Sequence, residues 1–158
     1  MSVRIADERV FAVSPDELFA LFVDPSFQRA RSAHLGTLSR TCNVETRGDE
    51  VRVVLDEVRD TGWKPHLFQS RRTIVWDRSR RRAEWTLEQT GGPGDASASG
   101  TLTLLEDPSG CRRRLEGALE VRVRFLGRMI EGVARRALRG EHDREASFIR
   151  RALAERYG

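Results

Sequence analysis

The chain has 158 residues, 39% of them apolar and 33% charged, with a formal net charge of +4. This length suits one domain and buries a core without staples, and the composition excludes a disordered chain. No apolar run approaches the roughly 20 residues of a membrane-spanning helix, and the first ten residues break their apolar positions with charges, unlike a secretory signal.

Cys42 and Cys111 are the only cysteines. Two so far apart form neither a zinc site nor a disulfide framework, so both read as small buried or half-buried thiols in a reducing cytoplasm. Lys64 is the single lysine, and residues 111–158 carry 13 Arg against 7 Asp and Glu. These arginines are interleaved with acids and lack an aromatic platform. They read as a solvated helix face beside an arginine-lined strand rather than a nucleic-acid surface, with weak membrane-surface contact left open.

In chain order, Val3 to Val13 alternates as a strand, with Val3, Ile5, Phe11 and Val13 on one parity. Ser14-Pro15-Asp16-Glu17 is a helix start with a capping box, and Leu18, Phe19, Leu21 and Phe22 give that helix an apolar face. Asp24-Pro25 ends it and caps a second helix from about Pro25 to His34, which Gly36 closes.

From Thr37 the period changes to two. Thr37 to Thr46 pairs with the strand carrying Val51, Val53 and Leu55 across the turn Arg47-Gly48-Asp49. Arg72 to Asp77, the Ala83-to-Gln89 alternation and the strand of Leu102 and Leu104 follow, with turns at Arg78–Arg80, Gly91–Gly94 and Asp107–Gly110. The clearest alternation places Leu115, Gly117, Leu119, Val121, Val123 and Phe125 on one face and charges on the other, as in an antiparallel strand with one wet side. Gly117 on the apolar face predicts a close approach by whatever packs there.

At Leu126 the period returns to 3.6. Leu126, Met129, Ile130, Val133, Ala134, Ala137 and Leu138 form a stripe that resumes at Phe148, Ile149, Ala152 and Leu153. A helix over 126–156 is about 45 Å long. One strand, two short helices, six meandering strands and one long helix predict an α+β helix-grip fold. A curved seven-stranded antiparallel sheet wraps the terminal helix, with the two short helices between the first two strands.

This order, with the segment from Phe11 through Ser14-Pro15-Asp16-Glu17 to Asp24-Pro25, resembles the START-like superfamily, also called SRPBCC. It includes polyketide cyclases, coenzyme-Q-binding proteins and the birch-pollen allergen family; the chain is most similar to small bacterial members of unassigned function. The resemblance covers nearly all of residues 1–158 and implies one such domain. It also implies a cavity between sheet and helix for a small hydrophobic or amphipathic molecule such as a lipid, a quinone or a polyketide-like compound.

The residues offer no metal site and no cofactor motif. HExxH and CxxC spacings, a nucleophile elbow and a phosphate loop are all missing. Candidate ligand contacts are Trp63, His66 and Phe68 in an aromatic loop that also reads as a plug over the core. Trp76, Trp85 and Gln89 on the sheet and Met129 and Val133 on the helix join them. At about 100° per residue Glu141 and Arg144 share the side of Ile130 and Ala137, so they either face the cavity or turn outward at a break near Gly140. His142 points off the stripe toward solvent, His34 ends a helix, and Asp56-Glu57 reads as solvated.

The expected function is therefore ligand binding. An alternative is a cyclase- or dehydratase-type enzyme using Glu141, Arg144 or His66. A protein-interaction module on the basic C-terminal helix is a third reading. Monomer and homodimer are both compatible with the chain.

Overall fold

The computed structural model describes residues 2–60, 67–91, 95–122 and 127–158, the side chains of 127–131, 133 and 134 excepted. Strand β1 (Ser2–Phe11) leads into helices α1 (Pro15–Phe22) and α2 (Pro25–His34). Strands β2 (Ser39–Arg47), β3 (Glu50–Asp60), β4 (Leu67–Asp77), β5 (Arg82–Thr90), β6 (Asp95–Asp107) and β7 (Gly110–Arg122) follow, and helix α3 (Gly127–Tyr157) closes the chain. The described strands form one curved antiparallel sheet in the order β1-β7-β6-β5-β4-β3-β2, the expected meander closed by the first strand.

Local chemistry explains the boundaries. The Ser14 hydroxyl accepts from the Glu17 amide while Glu17 accepts from the Ser14 amide, the capping box predicted for α1. Asp24 caps α2, and Gly36 sits at φ +90°, where a side chain would be strained. Gly48, at φ +60°, opens the two-residue turn between β2 and β3. The turn residues Gly92–Gly94 and the strand positions Val123 and Phe125 lie outside the described residues.

The core gathers at one end of the grip. Phe11, Leu18, Trp76, Cys111 and Ile149 are almost inaccessible, joined by Phe19, Phe22, Ala146 and Leu153. Trp76 meets the edge of Phe19 at a centroid distance of 5.4 Å and stacks on Phe22 at 6.2 Å. Burial pushes the Cys111 thiol up to about 11, so it behaves as a small apolar side chain. Cys42 is half-buried, and neither cysteine is in a disulfide. Helix α3 runs through Gly140 without a break.

Ile5, Gly117, Gly100, Trp85 and Ile74 face one another in a single cross-strand row. A Cβ on Gly117 would sit 2.7 Å from the Trp85 ring and 2.3 Å from the Ser99 carbonyl oxygen. The predicted close approach is therefore made by Trp85 and the neighbouring strand rather than by the terminal helix. The Trp85 indole needs the space that Gly117 leaves. Gly117→Val is expected to destabilise the fold by about 2–4 kcal/mol, read as a lower urea midpoint.

Candidate functional site

Alternation sends residues 51, 53, 55, 57 and 59 of β3 to the inner face, and 68, 70, 72, 74 and 76 of β4 with them. The inner rows of β5, β6 and β7 are shorter-reaching: Ala83, Ala96, Ala98, Gly100 and Gly117 interrupt the larger residues. Beyond the packed core these small side chains leave a cavity of about 700 Å³. Its apolar wall includes Ile5, Phe68, Ile74, Trp85, Leu87, Leu115 and Leu119 from the sheet, with Ala137 and Leu138 from α3.

The polar wall is a set of charges from several elements. Glu145 on α3 joins two of them. Its carboxylate accepts from Arg31 of α2, at 2.8 Å from Nε and also from Nη2, and from Arg113 of β7 at 2.7 Å. Arg113 also donates to Asp7 of β1 at 2.9 Å and lies over the Phe11 ring at 5.5 Å. One turn earlier, Glu141 accepts from Arg59 of β3 at 3.3 Å. Glu57 accepts from Ser32 of α2 at 2.7 Å and lies 3.6 Å from Arg59.

These positions decide the ionisation states. Burial pushes the Glu145 carboxyl up, but the charges of Arg31, Arg113 and Arg72 outweigh it and hold the group well below the carboxylate range. The same opposition acts at Glu57: burial raises it, while Arg72, the Ser32 hydroxyl, Arg31 and Arg59 lower it more. Both are held as carboxylates. Asp7 shares its charge between Arg9 at 3.0 Å and Arg113.

Five of the sequence candidates line this cavity: Phe68, Trp76, Trp85, Gln89 and Glu141. Trp63 and His66 lie outside the described residues, as do the side chains of Met129 and Val133. Arg144 is exposed and lines no part of the cavity; Glu145, one residue on, takes the inward place. The correction follows from packing: Ala146 and Ile149 seat the helix, which carries Glu141 and Glu145 inward together and Arg144 out. His142 is half-buried and lines the cavity instead of pointing to solvent, while His34 stacks on Phe148 at 4.8 Å.

The reading of Asp56-Glu57 as solvated fails for Glu57, which is 3% exposed; Asp56 pairs with Arg71 on the outer face. Sequence reasoning also missed Arg31, Arg72, Arg113 and Glu145. The signal for two of them was parity: Arg72 shares its strand parity with Ile74 and Trp76, and Arg113 with Leu115 and Leu119. Among the described residues no group of His, Cys, Asp or Glu is arranged to hold a metal, and no helix is long and apolar enough to cross a membrane.

Residues 8–153 match the model of a family described as "Protein of unknown function (DUF2505)". The chain belongs to this family. No curated protein matches its sequence. Among solved structures, an uncharacterized protein from Rhizobium leguminosarum is similar at TM-score 0.69 and 15% identity, covering 96% of each chain. The protein TTHA0849 from Thermus thermophilus is similar at TM-score 0.67 and 14% identity over 100% of each chain. Norcoclaurine synthase from Thalictrum flavum, solved with dopamine and hydroxybenzaldehyde, is similar at TM-score 0.58 and 15% identity, covering 100% of this chain and 90% of that one. At 14–15% identity these likenesses show a shared fold, the one that the START-like resemblance implied.

A lowered carboxylate pKa stabilises the fold above the group's ordinary value and ceases to do so as pH falls toward the lowered value. The urea midpoint is therefore expected to drop between about pH 5 and pH 2, with Glu145 a main contributor. Glu145→Gln is expected to cost about 3–5 kcal/mol near neutral pH, because it strands Arg31 and Arg113, and to flatten that acid dependence. Urea titrations of both proteins across pH measure the two effects together.

Proposed function

We propose that this protein binds a small amphipathic molecule, its apolar body on the sheet wall and its polar end toward the charges of α2, β3, β4 and α3. The observation that carries this reading is the cavity of about 700 Å³ with an apolar wall on one side and a cluster of buried ions on the other. A space of that size falls within the range of small-molecule sites, and its few polar groups converge on one region. Phe68, Trp76, Trp85, Gln89 and Glu141 are the proposed contacts among the residues named from sequence. The norcoclaurine synthase structure, solved with two small aromatic molecules, is compatible support for a fold that takes ligands.

The cyclase or dehydratase alternative has less behind it. A general acid or base works best with a pKa near the operating pH. Glu57 and Glu145 are instead held as carboxylates by neighbouring arginines, which suits anchoring more than proton transfer. Arg144, one of the residues that reading needs, is exposed.

Freshly purified protein in native mass spectrometry is expected to carry a co-purifying small molecule or to take up decanol. Ala96→Trp, at a half-buried position lining the cavity, is expected to weaken decanol binding about tenfold or more while the melting temperature changes little. Unchanged binding in the filled variant places the ligand elsewhere and defeats the cavity reading.

A further inference from the structure

Arg72 stands apart from the other charges of the cavity. It sits on the inner face of β4 between Leu55 of β3 and Leu87 of β5, half-buried and open to the cavity. Arg31, Arg59 and Arg113 each donate to a carboxylate. Arg72 makes no hydrogen bond and no ion pair with any described residue. Burial and the charge of Arg31 pull it below the ordinary arginine value, and the charges of Glu57, Glu141 and Glu145 offset this only in part. A guanidinium does not give up its proton, so the cation is under-compensated where it stands.

Other buried polar atoms of the interior are unbalanced in the same sense. Among the described residues, Arg31 Nη1, Arg113 Nε, Trp76 Nε1 and Trp85 Nε1 are buried donors without an acceptor, against a single acceptor, Glu57 Oε1. All five residues line the cavity. Among these described groups donors exceed acceptors.

We infer that the ligand of this cavity ends in a carboxylate, received by the Arg72 guanidinium. This rests on the cavity-binding reading and specifies its ligand class. A carboxylate offers two oxygens in the plane that a guanidinium fork matches, and a desolvated site strengthens the pair. Glu57, Glu141 and Glu145 set an upper limit on charge. They surround Arg72 closely enough to act on it, so a singly charged head fits and a dianionic phosphate is repelled. The apolar remainder of the ligand then extends along Leu87, Leu119 and Phe68.

The test is calorimetric titration of decanoate and of decanol, molecules of equal chain length, into the wild-type protein and Arg72→Met near neutral pH. The wild type is expected to bind decanoate about 10- to 100-fold more tightly than decanol. Arg72→Met is expected to remove that preference and to leave decanol affinity within about twofold, because methionine keeps the apolar stem. The unliganded variant is expected to stay folded, its melting temperature lowered by a few degrees because the Arg72 charge also supports Glu57 and Glu145. Equal binding of the two probes to the wild type, or a preference that survives the substitution, overturns the carboxylate assignment and leaves the cavity reading standing. Binding of neither probe defeats both readings.

Discussion

The Glu145 carboxylate is the point on which the polar side of this fold depends. One side chain on α3 satisfies Arg31 of α2 and Arg113 of β7 together, and so ties the terminal helix to the short-helix layer and to the sheet. Taking three such charges out of water is costly, and the cost is offset only when each is met by good geometry and further hydrogen bonds. Asp7 and the Phe11 ring supply these for Arg113. The result is a fixed electrostatic frame in the interior, and a frame of this kind orients a polar group far better than a mobile surface charge does.

The apolar side of the cavity depends on a different constraint, which is volume. Glycine and alanine on the inner faces of β6 and β7 lower the sheet floor, and the Trp85 ring lies against Gly117. Larger residues there would fill the grip completely and leave a conventional core. The core does fill at the other end, where Phe11, Leu18, Trp76 and Ile149 are packed out of reach of solvent. One sheet thus serves as a core wall along half of its length and as a cavity wall along the rest.

Much of this was legible in the residues. Capping chemistry located α1 and α2, since the Ser14–Glu17 box and Asp24 act within a few residues of themselves. The period-two alternation marked the strands, and the change of period after β7 marked α3. The charged wall was harder to read because its pairs span more than a hundred residues, as Arg31 and Glu145 do. An arginine among apolar neighbours is visible as an exception to the pattern, but its partner is fixed only by tertiary packing. The misplacement of Arg144 has a related cause. Helical angle alone does not say which of two adjacent residues turns inward; the seating of Ala146 and Ile149 does.

Helix α3 is held unevenly along its length. Ala146, Ile149 and Leu153 are sunk in the core, whereas Ala137 is exposed and Leu138 only half-buried above the cavity. Between these portions stand Glu145 and, one turn earlier, the weaker tie from Glu141 to Arg59. Asp143, ion-paired to Arg9 of β1 at 2.6 Å, adds a further tie in the same stretch. Opening the turn that carries Ala137 and Leu138 therefore costs less free energy than opening the turns around Ile149, so the roof of the cavity yields at that turn while the core stays closed.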